Sequence, residues 1–358
     1  MKRTVLIFVS SVMIFAAAGN VNAQETASSY TFVSTPDLFN FDIPNPWPGY
    51  ESAVNWYLNR IKKQDPAYVL VAGDLINGHW WQEGPRAIEH LGAVYYGGWR
   101  KRMERHGLTY LPAIGDHELG DDPWTNEKKY NLIPKYEEVF VKYLDPPRNG
   151  PENRKGLAYY VKKGNALIVT VETFTRLNGQ VQPTVYGKQL AWLKKVLKNQ
   201  GSTVDFIVVQ GHAPVFGPLK SSSSSQIMIK NGRKSSFWEV MVEHGVDLYL
   251  CGEHHALTVH RSDGIWQVVH GTSWGRKGHV QSYLIGNVGP DRLGVEIKTF
   301  PLKVTGDHMW NLHKSRGPRE NVAIPAFVRK NGPETAGSLT IRKTADGKEL
   351  VDWSGVFE

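Results

Sequence analysis

Short continuous apolar runs bounded by Gly, Pro and Asp alternate along the chain with stretches whose apolar residues recur every three to four positions. The short runs at 30–34, 68–72, 108–114, 166–171, 206–210 and 247–251 predict strands buried on both faces. The longer period predicts a helix over 50–63, with Ala53, Val54, Tyr57, Leu58 and Ile61 on one face, and further helices over 187–198 and 237–244. Another helical pattern runs through 95–106. Strands alternating with helices predict a layered α/β core, and no solenoid-type repeat is present. Near the end, 338–342 and 349–353 are joined through Asp346-Gly347 and predict a β-hairpin. That hairpin either finishes a sheet of the main domain or stands as a small appendage. The five-serine run from Ser221 to Ser225 reads as a mobile surface loop.

The first apolar run has a different meaning. Lys2 and Arg3 precede an apolar stretch over 5–18, and small residues lead to Val21-Asn22-Ala23. This is the order of a secretory signal peptide, with cleavage expected after Ala23. The run is shorter than the ~20 residues that span a bilayer, and no basic stop-transfer cluster follows it. The expected product is secreted or periplasmic, with no membrane span after cleavage. The chain therefore divides into a signal peptide (1–23), one large domain (24–316) and a tail with the hairpin (317–358).

Composition narrows the classes further. A charged fraction of 21% together with 12 tryptophans excludes a disordered chain. The lone Cys251 excludes an intramolecular disulfide framework and a cysteine-rich zinc finger. The net charge of +8 falls to +6 once Lys2 and Arg3 are removed with the leader, and it points to an anionic partner. Arg100, Lys101, Arg102 and Arg105 form a basic cluster that reads as a solvated helix face, and no nucleic-acid-binding motif accompanies it.

The chemistry lies where the strands end. Five runs stop at a glycine or proline turn followed by Asp, His or Glu: Asp37, Asp74, Asp116-His117, His212, and Glu253 with His255. In an open α/β sheet such groups converge on one crevice. Converging carboxylates and imidazoles repel each other and are costly to desolvate unless a cation neutralises them. The order and number of these groups point to a metal site, with enough ligands for two ions.

These blocks resemble the calcineurin-like metallophosphoesterase superfamily, which includes the purple acid phosphatases. The family order is Asp-x-His, Gly-Asp, Gly-Asn-His-Asp/Glu, Gly-His and Gly-His-x-His. Here the blocks read Asp37-Leu38-Phe39, Gly73-Asp74, Gly115-Asp116-His117-Glu118, Gly211-His212 and Gly252-Glu253-His254-His255. The segment Gln189-Leu190-Ala191-Trp192-Leu193 is also similar to one that precedes the family's Gly-His block. The resemblance covers roughly 30–285. It implies an α/β fold of four layers, a β-sandwich flanked by helices, with the site at one edge. It implies an enzyme that hydrolyses phosphate mono- or diesters with metal-activated water, acting on a small-molecule or polymer substrate.

By the same resemblance Asp37, Asp74 and His255 hold a first metal, and Asp74, Asp116, His212 and Glu253 hold a second. His117 is the catalytic residue beside the leaving oxygen. The implied cofactors are two divalent ions (Mn, Fe, Mg or Zn), with a single-ion site as the alternative. Three positions depart from the pattern. Asp116 and Glu253 exchange one ligand type for another, whereas Phe39 removes a ligand that Asn40 or Asn77 would have to replace. The four carboxylates leave two divalent ions near neutral, and their oxygens favour Mn, Mg or Fe. His254 occupies the family's variable position. Trp47, Trp80, Trp81, Trp99 and Trp124 lie near the motif loops and are expected to pack on one another. They also motivate the alternative of a non-catalytic glycan- or cell-wall-binding protein. Sulfate-ester hydrolysis at the same centre is a third reading.

Overall fold

The computed structural model describes residues 29–38, 49–217, 224–271, 280–304 and 322–358. Two sheets form its centre. The larger has seven strands in the order Gly347–Gly355, Glu334–Thr344, Arg292–Pro301, Val280–Val288, Tyr30–Ser34, Pro66–Val71 and Tyr110–Pro112. Its last three strands are parallel. The smaller has six, in the order Thr258–Ser262, Ile265–Val269, Leu248–Cys251, Phe206–Gln210, Ala166–Thr170 and Tyr159–Lys163. Its four inner strands are parallel.

The continuous apolar runs follow from burial on both faces. Along Phe206–Gln210, Phe206 and Val208 join Phe32, Leu70, Leu250 and Leu284 between the sheets, while Ile207 and Val209 turn to the helix-covered face. Tyr50–Lys62 buries the face predicted for it: Ala53, Val54, Tyr57, Leu58 and Ile61. The helices Pro85–Arg105 and Glu127–Leu144 pack closely, because a Cβ at Gly92 would overlap Val139. Ser236–Glu243 begins at Ser235, whose hydroxyl accepts from the Trp238 N–H at 3.2 Å.

The fold is the helix-flanked, two-sheet α/β architecture expected above, with local differences. The run at 108–114 forms a strand only over Tyr110–Pro112, and Ala113 and Ile114 remain buried as the chain leaves the sheet. The helical pattern at 95–106 belongs to a longer helix that starts with Pro85 at its first turn, a position that suits proline. The antiparallel pair Val280–Val288 and Arg292–Pro301 drew no sequence prediction. The terminal hairpin lies against Arg292–Pro301 and forms the edge of the larger sheet. No helix among the described residues is long and apolar enough to cross a membrane. The signal-peptide reading lies outside the described residues, as do Phe39, Asn40, Trp47 and Ser221 to Ser223.

Candidate metal centre

Two groups of strand ends meet at one end of the sandwich. Asp37, Asp74 and Asp116 follow strands of the larger sheet, and His212, Glu253 and His255 follow strands of the smaller. Asp37, Asp74, Glu253 and His255 all adopt positive φ, between 48° and 69°. Non-glycine residues rarely do so, and such strain collects at functional sites. The glycines of the motifs permit the close approach. A Cβ at Gly73, whose φ is +94°, would overlap the His212 ring and stand 2.9 Å from Gly115 Cα.

The arrangement of ligand atoms is the central observation. His212 Nδ1 lies 2.6 Å from the Ala72 carbonyl oxygen, which can only accept, so Nδ1 carries the proton. Nε2 then points into the cluster, 3.1 Å from Asp116 Oδ1, 3.3 Å from Asp74 Oδ1 and 3.4 Å from Glu253 Oε2. His212 Nε2, Asp74 Oδ1, Asp116 Oδ1 and Asp37 Oδ2 are buried and lack a hydrogen-bond partner among the described residues. Asp74 also belongs to a second triad with Asp37 and His255, whose Nε2 stands 3.8 Å from Asp37 Oδ1. A ring nitrogen facing buried carboxylates at these spacings fits ligands around a divalent cation, which would replace a proton on Nε2.

Electrostatics agree with that fit. Burial, reinforced by Glu253 and Asp116, pushes Asp37 up to about 7. Burial and the neighbouring Asp116 hold Asp74 well above the ordinary carboxylate range. Asp116 goes the other way, because His117 and His212 outweigh its burial. Burial pulls His117 down, but Asp74, Asp116 and Asp121 raise it to about 10. Lys129 interacts with Asp116 and Asp121 from outside the cleft, and a site that gathers this many carboxylates leaves the rest of the compensation to a bound cation. The described lining of the cleft, about 330 Å³, contains neither Lys nor Arg. The basic cluster is spent elsewhere: Arg102 forms a two-pronged contact with Glu51 at 2.7 and 2.9 Å, and Arg100 pairs with Glu104.

His117 sits at the cleft, its side chain 16% exposed. Its Nδ1 donates to the Asn77 carbonyl at 2.7 Å, which leaves Nε2 toward the cleft, 4.0 Å from Asp74 Oδ2. Glu118, quoted only as the end of its block, organises the loops. Its carboxylate accepts from the N–H groups of Asp74 (2.7 Å), Leu75 (2.8 Å), Ile76 (3.1 Å) and Gly115 (2.8 Å). Gln189 plays a similar part, its side-chain amide bonding both the N–H and the carbonyl of Glu172 at 2.9 Å. His254 turns away, its Nε2 bonding the Ile227 carbonyl at 3.1 Å.

The described tryptophans pack against protein. Trp80 stacks on Tyr136, Trp99 meets Tyr110 edge-on, Trp124 contacts Phe174, and Trp81 lies against the core. Ser224 and Ser225, expected in a surface loop, line the cleft, and two ionisable cleft residues drew no expectation from the sequence. His79 lies five positions after Asp74 and Asp121 four after His117, and only their proximity to motif blocks signalled them.

The calcineurin-like phosphoesterase family description matches residues 31–257. Among solved structures, a dimetal phosphatase from Danio rerio is similar with a TM-score of 0.55 at 13% identity, over 74% of this chain and 95% of that one. This likeness concerns the fold alone. The GAP50 anchor of the inner membrane complex of Plasmodium is more distant, with a TM-score of 0.47 and 15% identity over 81% of this chain and 91% of that one. No curated protein matches the chain.

Proposed function

The chain belongs to the calcineurin-like phosphoesterase family, and on that premise we propose that it is an exported, metal-dependent phosphoesterase that hydrolyses phosphate mono- or diesters. The observation that carries the reading is His212 Nε2 set among the carboxylates of Asp74, Asp116 and Glu253. Asp74, Asp116, His212 and Glu253 would hold one divalent ion, and Asp37, Asp74 and His255 another. Bound there, such ions supply Lewis acidity toward phosphoryl oxygens and activate water at neutral pH.

The protein's own groups do the rest. Asp74 joins both triads and so fixes their separation. Glu118 holds the loops that carry Asp74 and Asp116 through four backbone hydrogen bonds. His117 keeps its Nδ1 proton on the Asn77 carbonyl, so Nε2 is the atom that donates to the leaving oxygen. The oxygen-rich donor set favours manganese, magnesium or iron.

The test is a panel of aryl phosphate monoesters, aryl phosphodiesters, a diphosphate and an aryl sulfate, assayed on manganese-loaded protein lacking residues 1–23. Hydrolysis of a phosphoester that disappears in Asp74→Asn is expected. Inertness across the panel refutes the enzymatic reading, and turnover of the sulfate alone replaces it. The proposed export is read separately, by the N-terminus of protein recovered outside the cytoplasm, which should begin at Gln24.

A further inference from the structure

A second set of ligating side chains lies beside the centre; His79 and Asp121 take no part in it, and His117 serves it only at the leaving oxygen. His79, His117 and Asp121 bring one ligand atom each to within 4.8 Å of one another. The two oxygens of Asp121 face different imidazoles: Oδ2 is 3.4 Å from His79 Nε2, and Oδ1 is 3.5 Å from His117 Nε2. Both separations exceed the usual N–H···O length of about 2.7–3.2 Å. Two ligands on a tetrahedral metal with bonds of about 2.1 Å stand roughly 3.4 Å apart, and each imidazole has one Asp121 oxygen near that spacing. The rings stand edge to face, 5.7 Å apart at 70°.

A second observation supports a ligand here. The His117 tautomer is set from outside the trio, by the Asn77 carbonyl on Nδ1, as for His212 in the main centre. A carbonyl on one ring nitrogen is the usual way to aim the other at a metal. Asp122 adds a carboxylate beside Asp121, and Lys129, which interacts with both from outside the described cleft lining, offsets them in part.

We propose that His79, His117 and Asp121 form a third cation site, selective for zinc-like ions and separate from the oxygen-rich centre. Two imidazoles and one carboxylate make a softer donor set than the main centre's carboxylates. The His79 side chain is 47% exposed, so the site opens to solvent and keeps room for water or a substrate oxygen. His117 Nε2 serves both this site and the leaving oxygen. Zinc bound here therefore withdraws His117 from the reaction, and excess zinc inhibits. The site itself does not depend on the chain being a hydrolase.

The experiment counts zinc. Manganese-loaded wild-type protein, His79→Ala and His79→Gln are equilibrated with zinc and assayed for both metals per chain. The wild type is expected to retain one zinc more than either variant, with manganese unchanged in all three. Asp74→Asn is expected to lose manganese and keep the zinc that depends on His79, which separates this site from the main centre. Cobalt substitution should give a visible d–d absorption band in the wild type that both His79 variants lack. Equal zinc counts in the wild type and the His79 variants overturn the proposal. Because His79 is exposed, unchanged circular dichroism in the variants is expected, and His79→Gln keeps the test valid if the alanine variant unfolds.

Discussion

At the amino end of the paired strands Phe206–Gln210 and Leu248–Cys251, the buried carboxylate of Asp247 meets Lys348 Nζ at 2.6 and 2.8 Å and the Ile207 N–H at 2.8 Å. Burial still holds Asp247 above its ordinary value, but Lys348 and that N–H pull against it. At the carboxyl end of the same strands, His212 and Glu253 join Asp37, Asp74 and Asp116, and no described Lys or Arg lines the cleft. There Asp37 rises to about 7. The two ends pose one problem, a carboxylate out of water, and answer it differently. The amino end brings a lysine from the terminal hairpin, while the carboxyl end keeps its ligand atoms facing one another. The cavity at the amino end is the larger, about 450 Å³ against about 330 Å³. The candidate ligands thus lie at the smaller cavity, and buried charge rather than volume marks them out.

The comparison can be broken first at the carboxyl end. Asp74→Asn removes the carboxylate common to both triads and is expected to lower phosphoester turnover by about 10³-fold, the several kcal/mol that metal ions contribute to the transition state. Steady-state kinetics on the best substrate check this. Glu118→Ala leaves four buried N–H groups without an acceptor and is expected to cost about 3 kcal/mol of stability, read by urea denaturation. His117→Asn is expected to lower kcat by about 10²-fold with little change in KM, since it acts on the leaving oxygen rather than on binding.

At the amino end, Lys348→Met strands Asp247 and is expected to cost about 2 kcal/mol without affecting bound metal. Loss of metal in that variant would remove the distinction between the two ends.

A pH-dependent effect sharpens the comparison through a histidine that has no acid beside it. His270 is buried, its Nε2 is 2.9 Å from Ser34 Oγ, and burial lowers it to about 3. Unfolded, it titrates near its ordinary value of ~6.5. Between these values the unfolded chain binds a proton that the folded chain does not. The His270 contribution is therefore complete above about pH 6.5 and is lost as pH falls toward 3. The wild type should lose up to ~1.4 kcal/mol per pH unit more than His270→Gln between pH 6 and 4, measured by denaturation.

What could be read from the sequence differs between the two ends. Six ligand candidates and His117 were legible because each follows a glycine or proline turn at the end of an apolar run, and the fold places those turns together. The strands were legible because burial on both faces makes them continuously apolar, as in Phe206–Gln210. The pair Val280–Val288 and Arg292–Pro301 was not, since polar residues such as Asn287, Glu296 and Lys298 interrupt its runs. His79 and Asp121 were hidden because no spacing rule links them; they meet only when two loops fold over the cleft. Nor does the sequence pair Lys348 with Asp247, 101 positions earlier. The net positive charge, which points to an anionic partner, has no carrier among the described residues that line the cleft.

Cation binding at the carboxyl end of the strands is read from manganese content per chain after loading and dialysis, comparing wild type with Asp74→Asn. Two manganese ions are expected in the wild type and none retained in the variant. No retained manganese in the wild type, or the same content in both proteins, would contradict it.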